Sequence, residues 1–298
     1  QDVNPGMPEW DIFIKEVRKE ITVKAGQKCT AVRRIFVPQN KLDDVSRALA
    51  DALQKTAVGN PLNEKVRMGA LAGQEQRSEV KSQLQKLLAS SQLIYGSLDS
   101  VQVIDADAEQ GAFLSPVLLL NQKPMQSEEP HSIEAFEPVS TLMPYNSMDE
   151  VIALSKKGKG SLCSTIVTAD ASVAKQYVLG AATFHGRILV LNEDCAKEST
   201  GHGSPLPMLV HGGPGRAGGG EEMGGLRGIK HYLQRTAIQG SPTMLTAITN
   251  VYQPNAKGLI SEVHPFSKYF DELKIGDQLV TEKRTIASED IDRFAQLS

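Results

Sequence analysis

Cysteines stand at positions 29, 163 and 195 of this 298-residue sequence, and Cys29 is the one whose neighbours suit nucleophilic chemistry. It follows Ala25-Gly26, has Lys28 beside it, and has Arg33 and Arg34 just beyond. An unperturbed thiol, with a pKa of about 8.5, is only a few per cent ionised at neutral pH, so a cysteine nucleophile needs such positive potential or a nearby base. Cys163 lies in an apolar run, and both it and Cys195 read as small buried hydrophobes. On neighbours alone, a structural reading of Cys29 stays open beside the catalytic one. Gly213-Pro214-Gly215-Arg216-Ala217-Gly218 has the form GxGxxG. However, Pro214 interrupts it, more glycines follow, and no acidic residue closes a second strand about twenty residues on; a loop is expected there in preference to a phosphate cradle. The six histidines show no HExxH and no carboxylates at ligand spacing, so no metal site is expected. There is no Walker lysine and no GxSxG elbow, and Glu221-Glu222 reads as a solvated loop.

The elements that must position Cys29 follow from periodicity. Trp10, Phe13, Ile14, Val17 and Ile21 recur every three or four residues and predict a helix from Pro8 to Lys24, with proline tolerated in its first turn. A β-rich run, 31–37, closes at Pro38, which places Cys29 in the connector between helix and strand. Further helices are expected over about 41–55, 75–90, 147–157 and 171–182. Strands are expected at 93–95, 101–104, 113–120, 139–143, 162–168 and 187–192. This alternation predicts an α/β fold with an open, largely parallel sheet. Ten of the 25 residues from Gly201 to Gly225 are glycine, which implies a long irregular segment. A helix near 225–236 and another from Pro242 to about Asn250, capped by Ser241, complete the pattern.

Composition bounds the rest. Two ordinary domains fit the length, and 40% apolar with 22% charged residues describe an ordinary globular chain. A formal charge of −3 without a Lys/Arg run gives no reason to expect nucleic acid as a partner. The longest mostly apolar stretch, 113–120, is far short of the roughly 18 residues of a membrane span, so no membrane is expected either. An odd number of scattered cysteines without CxxC fits a reducing cytoplasm.

Two segments read together carry a resemblance. Ala25-Gly26-Gln27-Lys28-Cys29-Thr30 resembles the Gly-Gln-x-Cys stretch of the aldehyde dehydrogenase superfamily. About 105 residues on, Glu134-Ala135-Phe136-Glu137-Pro138-Val139 resembles its Glu-x-Phe-Gly-Pro-Val motif. Segments from Glu198, His211, Lys230 and Gln239 onward are similar to one branch of it, in which the dehydrogenase is fused to a MaoC-like hot-dog enoyl-CoA hydratase of phenylacetate degradation.

The resemblance implies a dehydrogenase catalytic domain over 1–200, its glycine-rich loop and C-terminal segment over 201–252, a linker over 253–264, and the start of an α+β hot-dog domain over 265–298. It implies Cys29 as the nucleophile, Glu134 as a ligand of the nicotinamide ribose and Phe136 as the ring beside the nicotinamide. It also implies NADP as cofactor, a CoA-thioester semialdehyde (3-oxo-5,6-dehydrosuberyl-CoA semialdehyde) as substrate, and a homo-oligomer. The water-activating glutamate, an oxyanion-hole asparagine and most of the cofactor domain lie upstream of the cysteine in the family, so a catalytic half is expected here. Alternatives are a semialdehyde-CoA dehydrogenase of a related aromatic-CoA pathway and a non-catalytic assembly fragment. Glu137 departs from the family pattern, standing at its glycine, where a side chain and a charge are expected to disturb Glu134 and Phe136.

Overall fold

The structure, a computed structural model, describes residues 2–203, 212–219, 229–230, 232–257 and 269–273, together with 287–289, 291 and 295. The expected amphipathic helix forms as α1 (Pro8–Thr22) and the following strand as β1 (Arg34–Pro38). Next come α2 (Leu42–Gln54), β2 (Val58–Gly59), α3 (Gln74–Leu88), β3 (Gln92–Tyr95), β4 (Val103–Ile104) and β5 (Val117–Leu120). A short helix, α4 (Glu129–Ser132), precedes β6 (Val139–Tyr145), α5 (Met148–Lys156), β7 (Ser161–Val167), α6 (Ala171–Ala181) and β8 (His185–Leu191). The described chain then adds β9 (Ala237–Gln239) and α7 (Pro242–Thr249).

The open, largely parallel α/β arrangement expected from the alternation is found, with its strands divided among separate sheets. One has the order β1-β6-β5-β3, a second the order β7-β8-β9, and β2 pairs with β4 apart from both. Among the described residues strand pairing is parallel except between β3 and β5. The first sheet is covered on both faces, which is why β5 reads as a continuous apolar run and β6 is buried along its whole length, Ser140 and Thr141 included. Along β5, Val117 and Leu119 join α3's Val80, Leu84 and Leu87, while Leu118 and Leu120 join Leu49 and Leu53 of α2 on the other side. In the second sheet Ile188 and Val190 of β8 pack against α6 and α7 through Ala174, Val178, Met244 and Ile248.

Helix ends follow their local chemistry. The Asp170 carboxylate accepts from the Ser172 N–H at 2.7 Å, and the Ser147 hydroxyl from the Glu150 N–H at 3.2 Å. Asn250, left-handed at φ 56°, ends α7. The helix expected near 225–236 does not extend through its last turn: residues 232–236 are not helical and lead into β9. Residues 225–228 and 231, and all but a few residues of the 265–298 segment expected to begin a hot-dog domain, lie outside the described residues. Among the described residues no helix is long and apolar enough to cross a membrane.

Candidate active site

Cys29 owes its position to an unusual exit from α1. Lys24, Ala25 and Gly26 are successively left-handed, with φ of 55°, 51° and 69°. For the two non-glycine residues this conformation costs roughly 1–2 kcal/mol each. Burial of Ala25 in the core beside Ala135 and Val139 holds it in place. Gln27 then bends in an inverse γ-turn (φ −79°, ψ 65°), the Lys28 N–H donating to the Gly26 carbonyl at 2.9 Å. The Gln27 side chain anchors this bend from outside, its Oε1 accepting from the Ala72 N–H at 2.8 Å. A further turn, closed by the Ala31 N–H on the Lys28 carbonyl at 3.1 Å, presents Cys29 to solvent.

The second motif lies directly against this turn. A Cβ added to Gly26 would come within 2.3 Å of the Glu137 carbonyl and 2.5 Å of the Pro138 nitrogen, so the backbones touch in a way only glycine permits. Four residues after Cys29, the Arg33 guanidinium faces the Glu134 carboxylate at 3.5 Å. Register continues the contact, because Arg34 pairs with Thr141 at the junction of β1 and β6. Cys29, Glu134 and Phe136 thus sit on two loops packed together, although residues 29 and 134 are far apart in sequence. Phe136 is exposed, and the Glu134 side chain is 39% exposed.

A cavity of about 270 Å³ opens beside Cys29, between β1 and β7 and under α1; its walls include Glu20, Thr30, Arg33, Cys163 and His202. Lys28, beside the thiol, is paired with Glu20 at 2.6 Å. Arg34 turns away from Cys29. It donates to the Leu154 and Ser155 carbonyls and to His131 Nδ1, and burial pulls its pKa down to about 10. The positive context that the sequence suggested around Cys29 is therefore spent on structural partners at Lys28 and Arg34.

Cys163 is half-buried in β7: burial pushes its thiol up to about 12, and its Sγ lies 3.9 Å from the Thr30 carbonyl. Burial also raises the Cys195 thiol. Iodoacetamide applied to the folded chain at neutral pH is accordingly expected to label Cys29 at least about tenfold faster than either of the others. Peptide mapping over a time course reads this, and equal rates would remove the distinction.

Glu137 neither takes a left-handed backbone nor reaches the two exposed residues. Its side chain is buried on the core side, and neither carboxylate oxygen meets a partner in full hydrogen-bond geometry. Burial pushes its carboxyl up to about 8, with the Gln76 amide acting the other way. The disturbance expected from a side chain at this position is thus directed into the core, leaving the Glu134 and Phe136 side chains outside it. Three features of the site had no signal in the spacing: the left-handed exit, the Arg33–Glu134 pair and the contact of Arg216 with α4. Gly26 was visible only as part of a motif. Among the described residues no cluster of His, Cys, Asp or Glu is arranged to hold a metal ion.

Comparison with known proteins identifies the family. Residues 8–238 match the aldehyde dehydrogenase family. Protein MaoC of Klebsiella aerogenes is 50% identical over 233 residues, covering 78% of this chain and 68% of that protein. A 3,4-dehydroadipyl-CoA semialdehyde dehydrogenase of Aromatoleum evansii is 40% identical over 217 residues, covering 72% of this chain but 41% of its own length. Among solved structures, a betaine aldehyde dehydrogenase variant of Staphylococcus aureus in complex with NAD+ superposes with a TM-score of 0.61 at 20% identity, over 72% of this chain and 41% of the other. An aldehyde dehydrogenase C variant of Pseudomonas syringae, complexed with NAD+ and octanal, gives a TM-score of 0.59 at 23% identity, over 73% and 41%. These two likenesses bear on the fold.

Proposed function

The chain belongs to the aldehyde dehydrogenase family, and from that premise we propose that it carries the nucleophile-bearing half of an NADP-dependent enzyme oxidising a CoA-thioester semialdehyde to its acid in phenylacetate degradation. The observation that carries this reading is the seating of the Cys29 turn on the Glu137–Pro138 peptide, which joins both motifs into one surface. The Cys29 thiolate adds to the aldehyde carbonyl. Loss of hydride leaves a thioester on Cys29, which water hydrolyses to the acid and the free thiol. The dinucleotide, when bound, supplies the hydride acceptor. The donor set suits it: an exposed carboxylate at Glu134 fits a ribose diol, and an exposed ring at Phe136 fits the flank of a nicotinamide. Both act by positioning.

We take the substrate to be 3-oxo-5,6-dehydrosuberyl-CoA semialdehyde and the parent enzyme to carry a hydratase that opens oxepin-CoA; the likeness to Protein MaoC supports this. A second reading, a dehydrogenase for a shorter semialdehyde-CoA, is favoured by the Aromatoleum evansii relative. The full-length enzyme assayed with both acyl chain lengths, and with NADP and NAD, separates them. Our reading expects a higher kcat/KM for the longer thioester with NADP. Preference for the shorter chain would establish the second reading, and no reduction of either dinucleotide with either thioester would overturn both.

A further inference from the structure

We infer that Arg216 is a positioning residue for the Glu134–Phe136 segment, acting through the backbone at the end of α4; the inference rests on the role proposed above for Glu134. Arg216 belongs to the glycine-rich run, whose GxGxxG form suggested no chemistry of its own. Its Nη1 donates to the His131 carbonyl and its Nη2 to the Ser132 carbonyl, each at 3.2 Å. These are the last two carbonyls of α4, and a helix end leaves such groups without intrahelical partners. A guanidinium fork fits two adjacent acceptors and favours the negative end of the helix. Glu134 follows two residues later, so the fork sets the point from which the Glu134–Phe136 segment departs.

Arg216 is itself held rigidly. Its N–H donates to the Lys159 carbonyl at 3.0 Å, at the approach to β7. Around it the backbones are too close for side chains: a Cβ on Gly160 would lie 1.9 Å from the Pro214 carbonyl oxygen, and one on Gly213 would lie 2.6 Å from the Ser161 carbonyl oxygen. The glycines therefore serve close packing, and residues 212–219 form a strut from the start of β7 to the end of α4.

The same helix end is gripped from the other side. His131 Nε2 lies 2.9 Å from the Pro124 carbonyl, to which it must donate, leaving Nδ1 to accept from Arg34 at 3.1 Å. Arg33 adds the third hold, on the Glu134 carboxylate. Arg216 differs from these two in being solvent-exposed, so its removal should cost little overall stability while loosening the segment it aims.

The test measures NADPH affinity by fluorescence in the full-length enzyme and in Arg216→Ala, Glu134→Gln and the double variant, with thermal unfolding as a check on folding. Arg216→Ala is expected to weaken binding about tenfold, since small misplacements of positioning groups have effects of that order or larger. In the Glu134→Gln background the same change should add less than twofold, because both act through one contact. The KM for aldehyde and the rate of Cys29 alkylation should stay unchanged. Arg216→Lys, a point charge without the fork, should recover only part of the loss, and it serves in place of the alanine variant if that fails to fold. A parent that binds NADPH as tightly as Arg216→Ala overturns the inference alone, as does a full tenfold loss in the Glu134→Gln background. A parent that binds no dinucleotide overturns the functional reading and the inference with it.

Discussion

Cys29→Ala is expected to reduce aldehyde oxidation by about 10⁴-fold or more while leaving the fold and dinucleotide affinity intact. The size follows from losing the atom that forms the covalent intermediate, a loss that binding and electrostatics cannot replace. Selectivity of the effect follows from the geometry. Cys29 is exposed on a turn whose hydrogen bonds run between backbone groups, so shortening its side chain opens no core cavity, and the stability change should stay within about 0.5 kcal/mol. Cys29→Ser should fare little better, because a hydroxyl is far less acidic than a thiol and attacks only with a base well placed for it. Cys163→Ala is the control. Its buried sulfur packs near the Thr30 carbonyl, and its loss should alter stability but not abolish turnover. Single-turnover measurement of reduced dinucleotide in the full-length enzyme reads all three. More than a few per cent of parental rate in Cys29→Ala would remove Cys29 from the mechanism and leave the chain's role to be sought in assembly.

The contrast between what the residues announced and what they hid is physical. Helices were legible where one face is apolar: Val45, Leu49 and Leu53 recur at helical spacing and give α2 almost to its observed ends. β6 and β8 were legible as strands, although Ser140 and Thr141 in one and His185 and Arg187 in the other interrupt their apolar residues. Which strands neighbour which was not, because parallel pairing is decided by packing between elements distant in sequence. Hence the open, largely parallel arrangement was expected but not its division, among the described residues, into sheets of four and three strands with a separate pair. β9, three residues long, is too short to carry a period. At the site, Cys29 and Glu134 were legible through their motifs. Their union depends on Gly26 lying against Glu137, a contact between backbones, and on arginines whose partners are carbonyl oxygens. Backbone acceptors leave no trace in residue identity, so neither the clamp on α4 nor the diversion of Arg34 had a sequence signal.

Glu137 supplies the second large effect. Its carboxyl has an ordinary pKa of 4.5 and is pushed by burial to about 8 in the folded chain. Between those values the folded state keeps a proton that the unfolded state has released, so folding stability falls as pH rises through this window. The loss approaches about 1.4 kcal/mol per pH unit and totals on the order of 3 kcal/mol by neutral pH. Glu137→Gln removes the ionisation but keeps the shape, so its advantage over the parent should grow with pH. Denaturant unfolding at pH 5.5 and pH 8 is expected to show that advantage increasing by about 3 kcal/mol. Any fixed cost of burying an amide cancels in this difference.

His202 works in the opposite direction. Burial, then the Arg187 charge, lowers its pKa from 6.5 to about 4, so the unfolded state binds the proton first and stability falls as pH drops below about 6.5. The parent should therefore lose stability on both sides of a mildly acidic optimum. Glu137→Gln should lift only the alkaline side, and a pH-independent gain would mean that the carboxylate ionises normally, reaching water in the folded chain.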